Sequence, residues 1–542
     1  MKRLIFILTV FLVLCLCFCA CDAPDVPGVT DTNGSSASTN APTTPGTNAP
    51  TGTTDPDQPT EEQPKPPVGC VHTDDNSDGF CDTCTFSVIV NVDFYAINDL
   101  HGKFNDSSDQ DGVDELSTFL QNANKTDDYT VFLSSGDMWQ GSSESGLTKG
   151  QILTDWMSEM GFASMTLGNH EFDWGEQAIY DNLALANFPF LAINVYERDT
   201  QTLADYCTPS ILIDKGMVQI GVIGAIGDCY SSISADKVED VYFVTGSALT
   251  ELVKAEAESL RQRGADVIVY SLHDGGTGSS ANVTDQELKS YYDVSLSGEY
   301  VDLVFEGHTH RNYVRKDSKG IYHLQGGGDN DGITHAELRV NCVTGSAVTT
   351  TAEYLPTSNF QSLPDHEIVA QLNQKYAEQL QLGSQSLGYN ASIRYSKQIK
   401  QKVADLYMEC GQERWGQQYD LVLGGGFIST RSPYNLSKGE VLYSELQMLL
   451  PFDNQIVLCS IKGSDLLKKF INTSNSNYFI AFSDYGNSIK NSIDPNGTYY
   501  IITDTYCSSY APNRLTVIDT YDQTTFARDL IADYIKDGNW SK

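Results

Sequence analysis

The sequence predicts an α/β chain with at least two globular units, and three observations lead there. The 542 residues exceed one ordinary domain. Apolar residues make up 40% of them, enough for sizeable cores. From Ser87 onward, short apolar runs alternate with stretches of helical period. Residues 88–96, 131–133, 219–226, 266–272 and 301–305 are strand-like runs, and 249–263 has helical spacing. Strands joined by helical crossovers make a layered α/β domain over 87–363. Residues 365–382 are amphipathic with acidic residues early, which suits a helix start, so 364–385 is expected to be a connecting helix. A second α/β unit, 386–542, carries further strands at 455–461 and 499–503. No internal repeat is visible.

Everything before Ser87 follows a different logic. Lys2 and Arg3 precede an almost wholly apolar run over 4–19, the layout of an export signal. It ends Phe18-Cys19-Ala20-Cys21, which resembles a bacterial lipobox with an atypical Phe18. That resemblance implies a signal over 1–21 and lipidation of Cys21, hence export and anchoring to the outer face of the membrane or cell surface. The alternative is a soluble secreted chain cleaved nearby. No later apolar stretch is long enough to span a bilayer. Residues 22–68 are Thr, Pro, Gly, Asn, Asp and Ser with hardly an aliphatic side chain, a composition that stays disordered and serves as a tether.

A short module at 69–86 contains Cys70, His72, Cys81 and Cys84. Three Cys and one His suit tetrahedral zinc, with Cys-x-x-Cys as a half-site. Asp74 to Gly79 matches the start of a calcium loop, although Thr85 replaces the Glu required at its twelfth position. Disulfides stapling a small spacer are the third reading, permitted outside the cell. Of the 13 Cys, Cys15, Cys17, Cys19 and Cys21 belong to the signal region; six more are scattered through the large domains.

The formal net charge of −37 disfavours a face for DNA or RNA, which would need clustered Lys and Arg. A solvated acidic surface explains the charge, and attraction of divalent cations is the alternative.

Chemistry concentrates in five segments, each at or just past a predicted strand end: Asn98-Asp99-Leu100-His101-Gly102, Ser135-Gly136-Asp137, Gly168-Asn169-His170-Glu171-Phe172-Asp173, His273-Asp274-Gly275-Gly276 and Gly307-His308-Thr309-His310. Open α/β sheets place their sites there. Any one segment alone has a bland explanation as a cap, turn or core hydrogen bond; five in order do not. In extended backbone, residues two apart point the same way, so Asp99 and His101 are expected to share a pocket, as are His308 and His310. Carboxylate, amide oxygen and imidazole suit zinc, manganese or iron, and no thiolate appears in the set. A shared carboxylate such as Asp137 can bridge two such ions, with a hydroxide completing the site.

These motifs resemble the calcineurin-like metallophosphoesterases, in particular the two-domain group of 5′-nucleotidases, UDP-sugar hydrolases and 2′,3′-cyclic phosphodiesterases. The similarity runs from about Val88 to the C-terminus. It implies a metallophosphoesterase sandwich domain followed by an α/β C-terminal domain of 5′-nucleotidase type that binds the rest of the substrate. It also implies two divalent metal ions, one held by Asp99, His101, Asp137 and His310, the other by Asp137, Asn169, His273 and His308. His170 would stabilise the transition state, with Asp173 as its orienting partner. In the second domain, Leu421-Val422-Leu423-Gly424-Gly425-Gly426 resembles the family's Asn-Gly-Gly-Gly-Ile-Arg phosphate-binding turn, and Gly425 and Gly426 would let main-chain amides approach an anion. Leu423 replaces the family's Asn and Ile428 its Arg, leaving Arg431 and Arg394 as either a rebuilt clamp or ordinary surface residues. Leu450-Pro451-Phe452-Asp453-Asn454 matches the family's Pro-Phe-Gly-Asn pattern, and Tyr478 and Tyr506 fall near its base-stacking positions.

The resemblance implies a small phosphorylated substrate, a nucleotide first, with no obligate protein partner evident. Its leading function is release of phosphate from 5′-nucleotides; a cyclic-nucleotide or nucleotide-sugar phosphodiesterase is the alternative. A non-catalytic ligand-binding lipoprotein is the alternative of another class.

Overall fold

A computed structural model of the chain describes residues 70–106, 111–126, 128–278, 281–390, 396–424, 438–468, 490–509, 515–522 and 524–537, together with Ser392, Leu436 and Ser488. The chain divides into Met1–Lys65 and Pro66–Lys542, and all described residues belong to the second unit. Cys21 and the tether lie outside them. Among the described residues no helix is long and apolar enough to cross a membrane.

The first domain is two six-stranded sheets packed face to face. One runs 346–356, 332–341, 89–97, 130–134, 162–166, 190–191, and the other 312–316, 322–326, 303–306, 267–273, 219–226, 210–214. The inner strands are parallel and the outer hairpins antiparallel. The strand Ile89–Ile97 shows how the sequence builds this. Its residues alternate, so Val90, Val92, Phe94 and Ala96 enter the space between the sheets and meet Ile220, Val222, Val269 and Phe305. The outer faces are covered by helices. Ile152, Leu153, Trp156 and Met157 cover one sheet, and Val253, Ala257 and Leu260 the other. All parallel strands therefore present their C-terminal ends along one edge.

The predicted strands recur within a residue or two, and 219–226 recurs as Gln219–Ile226. The connector departs from expectation. It is two short helices, Glu367–Lys375 and Ala377–Gln381, instead of one continuous helix. Tyr376 breaks the run, with φ −99° and ψ 14°. Its ring is buried and its hydroxyl donates to Asp155, which also pairs with Lys375. Docking on the first domain therefore overrides helical continuity. Beyond it, a four-stranded sheet in the order 421–424, 498–504, 456–462, 516–520 packs against the helices Ser396–Trp415 and Ala527–Lys536.

Beneath the edge that carries the five segments lies a buried polar network. His323 Nδ1 is 2.7 Å from Glu306 Oε1 and its Nε2 is 3.4 Å from Asp317 Oδ2. Tyr313 donates to Glu306 as well. Gln325 reaches from the same strand into the Gly307–His310 loop. Its amide donates to Gly307 O at 2.9 Å, and its oxygen accepts from Thr309 Oγ1 at 3.0 Å and Arg311 N at 2.7 Å. Burial alone would lower the His323 imidazole, but Glu306 and Asp317 push it up to about 9 from an ordinary 6.5. A raised pKa stabilises the fold fully below the unfolded value and loses that contribution as pH climbs through the folded one. Urea unfolding between pH 6.5 and 9 should thus show a decline of up to about 3 kcal/mol that His323→Gln flattens. An equal slope in both proteins would contradict this assignment.

Candidate metal centre

The strand Ile89–Ile97 delivers Asp99 and His101, Thr130–Ser134 delivers Asp137, Phe162–Thr166 delivers Asn169 and His170, Val267–His273 ends on His273, and Leu303–Glu306 delivers His308 and His310. Asp99, His101, Asp137, Asn169 and His273 are fully buried at this edge. Asp99, His101 and His310 offer ligand atoms that all lie within 4.8 Å of one another, as do Asp99, Asp137 and His273. His101 Nε2 is 2.8 Å from His310 Nε2, and Asp99 Oδ1 is 3.4 Å from His310 Nε2. On the other side His273 Nε2 is 3.1 Å from Asp137 Oδ2 and 3.3 Å from Asn169 Oδ1.

The local backbone explains how so many donors converge. Asp99, His101, Asp137, His308 and His310 all have positive φ, between 50° and 67°. Left-handed backbone costs a non-glycine residue roughly 1–3 kcal/mol and persists only where the surroundings enforce it. This corrects the expectation from extended spacing. Asp99 and His101 do share a pocket, but His308 and His310 do not point alike. His310 joins Asp99 and His101, while His308 joins His273 and the thiol of Cys229. Gly136, at φ 90°, keeps the strand ends close: a Cβ there would stand 2.8 Å from His273 Nδ1 and 2.7 Å from Gly168 N.

Main-chain and side-chain partners aim each donor. His101 Nδ1 lies 3.1 Å from Gln140 O and His273 Nδ1 lies 2.7 Å from Ser135 O. A carbonyl can only accept, so Nδ1 carries a proton and each Nε2 faces the cluster; burial would lower His273, but Asp137 pushes it up to about 10. Asn98 Nδ2 donates to Asp99 Oδ2 at 2.7 Å, and His308 N donates to the same oxygen at 2.8 Å. Burial would raise the Asp137 carboxyl, but His273, His170 and His101 hold it well below the usual carboxylate range. Burial lowers His308 to about 4, and the charge on His273 adds to that.

The donor set fits divalent cations. Asp99 and Asp137 are buried, and the ion-pair partners described for them are imidazoles, not Lys or Arg. Buried carboxylates ringed by imidazoles suit a cation, and oxygen with nitrogen donors suits zinc, manganese or iron.

His170 stands beside this cluster. Its Nδ1 is 2.6 Å from Asp173 Oδ2, and its N–H donates to Asp137 Oδ1 at 2.8 Å. Its ring lies over Phe452 of the second domain, with centroids 6.3 Å apart and planes 25° apart. The loop around Phe452 is held by Arg528, which donates to Leu450 O at 3.0 Å and Asp453 Oδ1 at 2.8 Å. Arg528 lies far along the sequence with no local motif to mark it.

Glu171 is the other group whose part the sequence did not disclose. Its two oxygens accept from the amides of Asp137, Met138 and Gly168 at 2.9, 2.9 and 2.7 Å, and from Trp139 at 3.4 Å. It ties two of the five segments together. Burial, then the Asp137 charge, pushes it up to about 7. Its position between His170 and Asp173 was the available signal.

Of the expected substrate contacts, Tyr506 lies half-buried on the short helix Thr505–Ser509, beside the turn Ala235–Lys237. Gly425, Gly426, Arg394, Arg431 and Tyr478 lie outside the described residues.

The chain is similar to several known proteins. The sequence profile of the calcineurin-like phosphoesterases matches residues 92–312. Protein UshA of Yersinia enterocolitica is 24% identical over 460 residues, 74% of this chain and 81% of that one. The 2′,3′-cyclic-nucleotide 2′-phosphodiesterase/3′-nucleotidase of Salmonella typhimurium is 28% identical over 245 residues, 41% of this chain and 37% of that one. The crystal structure of a 5′-nucleotidase precursor from Thermus thermophilus superposes with a TM-score of 0.58 at 17% identity, covering 83% of this chain and 96% of that one, a likeness of fold.

Replacing Glu171 by Gln should be costly, because the amide nitrogen would face two N–H donors that now meet carboxylate oxygen. The expected loss is about 2–4 kcal/mol of stability, with weaker metal retention on dialysis. Unchanged stability and metal content would remove Glu171 from this organising role.

Proposed function

Residues 92–312 form a calcineurin-like phosphoesterase domain and the chain is a phosphoester hydrolase; on that premise we propose that it releases phosphate from 5′-nucleotides outside the cytoplasmic membrane, at a centre for two divalent ions. The observation that carries this reading is the convergence of two buried carboxylates, one amide oxygen and four imidazoles on five strand ends. Asp99, His101, Asp137 and His310 would hold one ion, and Asp137, Asn169, His273 and His308 the other. Bound there, the ions would supply positive charge over the phosphoryl oxygens and an acidified water as nucleophile.

The protein's own groups do the rest. Asp173 accepts from His170 Nδ1 and orients the ring; with a second proton on Nε2, the imidazolium would donate to the oxygen that gains charge as the ester bond breaks. Phe452 of the second domain stands beside that ring, with centroids 6.3 Å apart. Support for a nucleotide comes from the Salmonella relative, a 2′,3′-cyclic-nucleotide 2′-phosphodiesterase/3′-nucleotidase, and from the second domain, which brings Phe452 beside His170. Support for export comes from Lys2, Arg3 and the apolar run after them, with Cys21 as the lipidated residue.

A phosphodiesterase acting on cyclic nucleotides or nucleotide sugars is the second reading, and the Salmonella relative favours its cyclic-nucleotide form. Purified protein loaded with manganese or zinc, offered AMP, UDP-glucose and a 2′,3′-cyclic nucleotide, separates them by rate. AMP is expected to turn over fastest; a preference for either diester would transfer the proposal to that bond. His170→Ala should lower kcat by roughly 10²- to 10³-fold with metal content retained. Asp137→Ala should remove both metal and turnover. Wild-type rates from the His170 variant would exclude the assigned role.

A further inference from the structure

A separate cluster of metal-ligating side chains stands just before the first strand. Cys70, His72, Cys81 and Cys84 offer ligand atoms that all lie within 4.8 Å of one another. We propose that these four residues hold a structural zinc ion, which clasps the point where the tether joins the catalytic domain.

The distances match a tetrahedron. Cys70 Sγ is 3.7 Å from Cys81 Sγ, and Cys84 Sγ is 3.5 Å from His72 Nδ1. With zinc–sulfur near 2.3 Å and zinc–nitrogen near 2.0 Å, tetrahedral edges measure about 3.8 Å between two sulfurs and about 3.5 Å between sulfur and nitrogen. Three Cys can close at most one disulfide among themselves, leaving a thiol and an inward imidazole without purpose; zinc employs all four.

The module also has almost no apolar core. Val71 is 82% exposed and Phe80 52% exposed, and between residues 70 and 87 Cys81 is the one apolar side chain described as buried. So short a segment without a core needs a staple. The acidic loop between the two half-sites is a turn that brings them together. Asp78 N donates to Asn76 Oδ1 at 3.0 Å, Phe80 N to Asp78 Oδ1 at 2.9 Å, and Asp75 N to Asp82 Oδ2 at 2.9 Å. Asp74 Oδ2 accepts from Gly79 N at 3.2 Å and from Asn341 Nδ2 at 2.7 Å, which docks the loop on the hairpin beside the first strand. Val88 N then donates to Gly79 O at 3.0 Å. The strand Ile89–Ile97, which leads to Asp99 and His101, thus begins beside this clasp.

Metal analysis of the full exported chain tests this without reference to turnover. Wild type should carry one zinc equivalent more than Cys81→Ser/Cys84→Ser. Cobalt-loaded wild type should show a thiolate-to-cobalt charge-transfer band that the double variant lacks. The variant should melt earlier while keeping its rate per loaded catalytic centre within about two-fold. Should the variant fail to fold, titration of wild type with a mercurial should release one zinc as these thiols react. An intact mass two hydrogens lighter with a pair of these Cys linked, a calcium equivalent in place of zinc, or no thiolate–cobalt band would each overturn the proposal.

Discussion

Two carboxylates, Asp99 and Asp137, sit fully buried at the edge of a sandwich with imidazoles as their ion-pair partners, and the rest of the domain answers to that fact. Buried anions cost several kcal/mol each unless positive charge and hydrogen bonds surround them. Main-chain amides supply some of the latter, from His308 to Asp99 and from His170 to Asp137. Imidazole supplies part of the positive charge, since burial would lower His273 but Asp137 pushes it up to about 10; a bound cation would take over that part and use the Nε2 lone pairs. The balance of charge is left to divalent ions, which is why the same pocket is both unfavourable to build and chemically potent.

Building it requires rigid surroundings. Five of the converging residues adopt left-handed backbone, and Glu171 collects the amides of two neighbouring segments on one carboxylate. Gln325 and the His323 network brace the Gly307–His310 loop from below. The parallel strands bring these segments to a common edge, and the hydrophobic layer between the sheets fixes their spacing. The second domain contributes from above through Phe452, positioned by the buried Arg528.

Much of this was legible in the sequence, for physical reasons. Strand Gln219–Ile226 is a continuous apolar run, as a doubly covered parallel strand must be. Asp99, His101, Asp137 and His273 follow such runs, so their place at strand ends could be read directly, whereas the strand Phe162–Thr166 before Asn169 is not among the predicted ones. The orientation of His308 against His310 could not, because spacing arguments assume extended backbone and both residues are left-handed. The break at Tyr376 depends on a tertiary contact with Asp155, invisible to helical periodicity. Arg528 and Cys229 reach their places only through folding, since neither carries a local pattern. Glu171 stood inside a motif, but its role is to bind amides from another segment, and no linear pattern encodes that.

Anomalous diffraction from crystals grown with manganese, collected on either side of its absorption edge, tests most directly the proposal that the converging donors hold two divalent ions sharing Asp137. Two peaks are expected, one among Asp99, His101, Asp137 and His310, the other among Asp137, Asn169, His273 and His308. A single peak, or none, with these side chains in place would contradict the account.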